Sequence, residues 1–190
     1  PKELTVRMPG GLMGLDKEGR PALWFLASHV QWGSVTGDEI EQMEMRKQEQ
    51  LNIALRDTRV RSIICIVDLE GMGVGVVKHV SAFKRLSWVS EQCYPGRTWK
   101  TLCINMSPTV ISIYNNFVCP FLSAHTQNLV TMCRKGEQTE NILKQYLPDK
   151  TIPRYLGGTA GEPGDLMCAS VLYPGGLNKD AQKTMELVQQ

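Results

Sequence analysis

A chain of 190 residues, 42% hydrophobic, is long enough to bury one substantial core and too short for two, so a single domain over residues 1–190 is expected. Its 21 basic and 19 acidic residues leave a net charge of +2, which supplies no broad positive field and argues against a nucleic-acid partner. No apolar run approaches the ~20 residues of a spanning helix, and nothing in the sequence reads as a targeting leader.

Asp16 to Pro21 forms a polar turn, and Ala22 to Val30 reads as a strand rich in large apolar side chains. Thr36 and Glu39 have capping-box spacing. They open a helix running to about Arg56, with Ile40, Met43, Leu51, Ala54 and Leu55 on its core stripe. Ser62 to Asp68 is apolar on both faces, as a central parallel strand is. After Gly71, Gly73 and Gly75, a helix from about Val74 to Gln92 aligns Val76, Val80, Phe83, Leu86 and Val89. Trp99 to Asn105 and Asn128 to Cys133 read as further strands.

Between them, Ser107 is a natural N-cap and Pro108 has its φ already set for a helix, which then runs to Leu122. Val110, Ile111, Ile113, Tyr114, Phe117, Val118, Phe121 and Leu122 make that helix apolar on nearly every side. A short helix at Thr139 to Tyr146, a strand at Ile152 to Leu156, a covering arm with a strand at Leu166 to Leu172 and a last helix at Lys179 to Val188 complete the reading. Alternating strands and helices imply an α/β domain with a mainly parallel sheet.

Chemistry is sparse. The six cysteines, at 65, 93, 103, 119, 133 and 168, have no paired short spacing and sit largely in apolar runs, which fits free thiols in a reducing compartment. His29, His79 and His125 lack metal-ligand spacing, so no metal and no cofactor are expected. Gly71-Met72-Gly73-Val74-Gly75 follows a strand, yet its third glycine comes one residue early for a dinucleotide fingerprint. Asp68 and Glu70 would also oppose a pyrophosphate. A glycine-rich turn bringing a helix close to the sheet is the simpler reading, with Asp68 as a turn partner. No nucleophile, base and orienting group converge, so no enzymatic activity is expected. The basic positions Lys84, Arg85, Arg97, Lys100, Arg134 and Lys135 read as solvated faces or as contacts to anionic headgroups.

Taken in order, "DKEGRP" at 16–21, "ICIVDLEG" at 64–71, "YPGRTWKTLCIN" at 94–105, the Ser-Pro helix ending in "CPFLS" at 119–123 and "LPDKTIPRYLGG" at 147–158 resemble the CRAL-TRIO lipid-transfer domain. The match spans residues 15–160. It implies a mixed, mainly parallel sheet flooring an apolar pocket, closed by a gate helix at Pro108 to Leu122 that swings aside at a membrane. The partners implied are a hydrophobic lipid or phospholipid and, transiently, the membrane surface, for a monomeric, cytoplasmic, peripherally membrane-associated protein. Pocket contacts are expected from Ile63, Cys65 and Val67 on one strand face, Thr101 and Cys103 on the next strand, Val110, Ile113, Tyr114, Phe117, Val118 and Phe121 of the gate, and Thr126.

In phosphatidylinositol-transferring members a Glu follows the Tyr-Pro pair and a Thr-x-x-Lys follows the gate; here those places hold Gly96 and Thr126 to Leu129. The hydroxyl positions of phosphatidylcholine-binding members are Ile63 and Cys65. A drier pocket follows, suited to a hydrophobic ligand with a small polar end. A regulatory, membrane-targeting or protein-interaction module of a larger signalling protein, with little transfer activity, is the alternative. If most of the eight apolar gate side chains are buried, lifting the gate in water costs on the order of 10 kcal/mol, so exchange is expected only where a bilayer covers the departing face.

Overall fold

The computed structural model describes residues 7–56 and 59–161. The expected strand at 166–172, the helix at 179–188 and Cys168 lie outside these residues, as does the side chain of Ala54.

Five strands form one sheet in the order β1 (Gly10–Leu15), β2 (Pro21–Leu26), β3 (Ile63–Asp68), β4 (Thr98–Met106) and β5 (Val130–Arg134). β1 is antiparallel to β2, and β2 to β5 are parallel. Because the order advances one strand per crossover, crossovers of one hand lay the connecting helices on one face. Those connections are α1 (Gly37–Leu55), a 3-10 turn (Val74–His79) leading into α2 (Val80–Cys93), and the segment from α3 (Pro108–Ile113) to α4 (Ala124–Leu129). The opposite face is covered by α5 (Glu137–Tyr146) and the turns after it.

β1 is absent from the sequence-based reading because glycines deplete strands. Gly14 has φ +69 where the β1–β2 register shifts between Leu12 and Leu15, so its freedom serves a bulge against the side chain of Thr151. β2 ends at Leu26 rather than Val30, giving way to a 3-10 turn at Ala27–His29. Residues 152–156 are not a strand. Arg154–Leu156 is a 3-10 turn, and only Pro153 bridges to Ala160, since a proline nitrogen donates nothing to a ladder.

Thr36 forms the expected capping box: its hydroxyl accepts from the Glu39 amide, and the Glu39 carboxylate accepts from the Thr36 amide at 2.9 Å and from Arg7 at 2.8 Å. The backbone bond from Thr36, followed by the Arg7 contact, holds the Glu39 carboxyl down at about 2. A carboxyl that ionises more readily folded than unfolded contributes stability above its ordinary value of 4.5 and loses it as pH falls towards 2. Urea titrations of Glu39→Gln against the parent are therefore expected to diverge above pH 4.5 and to converge in acid.

Beneath the C-terminal ends of β3 and β4 lies a buried polar knot. Asp68 Oδ1 accepts from Asn105 Nδ2 at 2.9 Å and from the Glu70 amide at 3.0 Å, while Oδ2 accepts from Tyr155 Oη at 2.6 Å. Asn105 sits at φ +57, and its amide donates to Thr139 Oγ1. This knot ties the turn at 154–156 to the sheet. Tyr155→Phe removes one donor from a buried carboxylate and is expected to cost about 1–3 kcal/mol in urea unfolding.

Candidate functional site

The two faces of the sheet are packed differently. On one, Ala22, Trp24, Ile64, Ile66, Leu102 and Ile104 meet Leu143, Leu147 and Ile152, all with no exposure. On the other, a cavity of about 440 Å³ opens between the sheet and the crossover helices, within the ~300–1,000 Å³ range of small-molecule sites.

Strand register builds its floor. Leu23, Cys65, Thr101 and Val130 stand side by side across β2 to β5, and Phe25, Val67 and Cys103 form the next row. All seven line the cavity. The parity of Thr101 and Cys103, which sequence alone leaves open, is thus settled by their pairing with Cys65 and Val67. Ile63 also borders the hollow but is 1% exposed and packs with Leu12, Leu23, Leu51 and Leu55.

The gate begins where the Ser-Pro pair predicts, with the Ser107 hydroxyl accepting from the Val110 amide at 3.3 Å. It does not continue as one α-helix. After Ile113 the backbone widens into a π turn at Tyr114–Val118, where the Cys119 amide donates to the Tyr114 carbonyl five residues back, and a 3-10 turn follows at Cys119–Phe121. Pro120, lacking an N–H, cannot extend an α-helical ladder through this point. The wider turn shifts the phase of every later side chain.

Val110, Ile113, Tyr114 and Val118 therefore line the cavity together with Leu122, and Thr126 lines it from α4. Phe117 and Phe121 do not. Expected on the pocket wall, they point outward instead, 50% and 66% exposed, displaced by the π turn. Lys84 of α2 lies over the Phe121 ring at 3.1 Å, and exposed Trp88 is one turn further along the same helix. The gate is pinned at its far end: Gln127 Nε2 donates to the carbonyls of Cys119 and Leu122, both at 3.0 Å, and Ser123 Oγ donates to Glu91 at 3.1 Å. With three gate side chains fully buried rather than eight, about 5–9 kcal/mol is the packing that opening in water gives up.

The polar content of the cavity is displaced from phosphoinositide chemistry. Gly96 and Leu129, where charged headgroup readers are expected by resemblance, both line it and carry no charge. Burial pushes the Cys65 and Cys103 thiols up to about 12 and raises the Tyr114 phenol further, so all three stay neutral and unreactive at physiological pH. Sequence reasoning missed the contribution of α1, whose Glu44, Lys47 and Gln48 border the cavity from the stripe beside its core residues.

A second hollow, about 700 Å³, lies beyond the strand ends against Asp68, Glu70, Lys135, Glu140 and Tyr155. Its lining is charged, and Lys135 pairs with Glu70. Gly71 has φ +76, as its turn requires, but a Cβ at Gly73 or Gly75 would meet nothing within 4 Å. The glycines thus make a turn without the close helix–sheet approach expected of them. Among the described residues no group of His, Cys, Asp and Glu is placed to hold a metal, and the five described cysteines are free. Of the basic positions, Arg85 pairs with Asp38 and Glu41, Arg97 with Asn52, and Lys100 lies near the rings of Trp99 and Tyr146. Among the described residues no helix is long and apolar enough to cross a membrane.

The protein named real-time is similar to this chain in two insects: 23% identical over 190 residues in Drosophila melanogaster and 24% over 183 residues in Aedes aegypti, covering 93% and 89% of this chain. The chain spans only 28% and 27% of the length of those relatives. The crystal structure of Sfh5 superposes with a TM-score of 0.66 at 16% identity, over 98% of this chain and 67% of that one, a likeness of fold alone. The model of the CRAL/TRIO domain matches residues 7–158, which takes in the whole sheet, the cavity walls and the interrupted gate. This chain belongs to the CRAL/TRIO domain family.

Proposed function

We propose that this domain holds a hydrophobic lipid in the cavity beneath the gate and exchanges or presents it at membranes, without catalysing a reaction. The family binds lipids and small hydrophobic ligands. The observation that carries the reading for this chain is the asymmetry of the sheet: one face is packed without exposure, and the other leaves a largely apolar hollow under the gate segment. Neutral thiols and a neutral phenol on the walls support storage rather than chemistry. Outward-facing Phe117, Phe121 and Trp88, with Lys84 among them, support a transient seat on a bilayer, where exposed aromatic rings and a cation are both favourably placed. The protein acts as a monomer in the cytoplasm on this reading.

A second reading, a regulatory or membrane-targeting module with little transfer activity, draws on the chain's span of about a quarter of its insect relatives. Native mass spectrometry followed by lipid extraction separates the two. One lipid per chain is expected; an empty cavity favours the regulatory module, and a copurifying nucleotide would overturn both.

A further inference from the structure

Among the described residues, one fully buried side-chain oxygen or nitrogen on a residue bordering the cavity has no partner. Gln48, on α1, is 1% exposed and borders the hollow. Its Nε2 donates to Glu44 Oε1, one helical turn back, at 2.7 Å, while its Oε1 has no hydrogen-bond partner among the described residues. The orientation of the amide is set by chemistry: an ionised carboxylate only accepts, so the NH2 must face Glu44 and the carbonyl must face away. A buried carbonyl left unpaired is costly, and filling its place requires a donor.

The surroundings narrow the donor. Glu44 disfavours a second carboxylate or a phosphate at this end of the cavity by like-charge repulsion. Lys47, the preceding residue on the same helix, also borders the cavity, with its ammonium 5.6 Å from the centre of the Phe25 ring. The floor strands present the neutral Cys65 thiol and the Thr101 hydroxyl beside the apolar Leu23, Phe25 and Val67.

We infer that Gln48 is the polar anchor of the cavity and that its ligand is an apolar molecule ending in a hydroxyl, a lipid alcohol, which donates to Gln48 Oε1. This deepens the proposed function and rests on it, since a ligand must occupy the cavity. Three probes of one chain length test it: hexadecanol, hexadecyl methyl ether, which lacks the donor, and hexadecanoate, which is anionic. Each is assayed by displacement of a fluorescent fatty-chain reporter from the purified, delipidated protein. The alcohol is expected to bind about tenfold more tightly than the ether, the scale of one buried hydrogen bond, and more tightly than the acid. In Gln48→Leu that preference is expected to vanish, with ether binding retained. Equal binding of alcohol and ether by the parent protein overturns the anchor whether or not the variant folds, as does a preference that survives in Gln48→Leu. Failure of every probe to bind overturns the inference together with the lipid-binding reading beneath it.

Discussion

Replacing Phe117 and Phe121 together by Asp is expected to slow ligand exchange between vesicles about 10- to 100-fold while leaving the thermal unfolding transition of the isolated domain unchanged. Both rings are at least half exposed and neither lines the cavity, so the folded state loses little when they become carboxylates. The loss falls on membrane contact. A fully buried Phe contributes about 1.5–3 kcal/mol, and inserting the exposed half of each ring into the headgroup–acyl boundary recovers roughly half of that per ring. Two rings together then account for about 1.5–3 kcal/mol, or one to two decades in rate or affinity. The carboxylates add repulsion from anionic lipid and remove the ring beneath Lys84. Exchange is read by transfer of a fluorescent lipid between donor and acceptor vesicles, alongside ligand content after gel filtration. Undiminished exchange would remove this surface from the mechanism; lost ligand content would place the two rings on the cavity after all.

The second large effect contrasts neighbouring residues on one strand. Val67→Trp is expected to empty the domain of ligand, reducing bound lipid below a tenth of the parent's content, with stability shifted by no more than about 1 kcal/mol. Val67 faces the hollow between Phe25 and Cys103, so an indole there fills unoccupied space. Ile66→Trp, one residue earlier, points to the opposite face, where Ile66 has no exposure among Trp24, Leu102 and Ile104. Overpacking that layer is expected to cost about 1–3 kcal/mol or more and to leave lipid content per folded chain intact. Chemical denaturation and lipid extraction on the same two proteins read both outcomes. Similar destabilisation by the two substitutions would mean that both faces are close-packed and that no cavity exists.

Much of this architecture is legible locally. The Thr36–Glu39 capping box, the Ser107-Pro108 start of the gate and the doubly apolar β3 are each specified by a few adjacent residues whose hydrogen bonds and dihedral preferences act over one turn. Ten of the twelve side chains expected at the pocket line it, because alternation along β3 and β4 and the first gate turns obey fixed periods. The two exceptions, Phe117 and Phe121, follow a change of period inside the gate, which a constant spacing of 3.6 residues per turn cannot foresee. β1 was hidden by its glycines, whose use emerges only against β2 and Thr151.

The order of residues thus decided where helices and strands begin, which side of each is oily, and the family to which the chain belongs. Those properties arise from contacts within a few positions of each other. Three-dimensional packing alone decided that one sheet face is filled and the other hollow, that the gate changes pitch before Pro120, and that Gln48 sits beside Glu44 with a carbonyl unpaired among the described residues. Vacant volume and unpaired atoms depend on what distant segments fail to bring to the same place, and no local pattern records that.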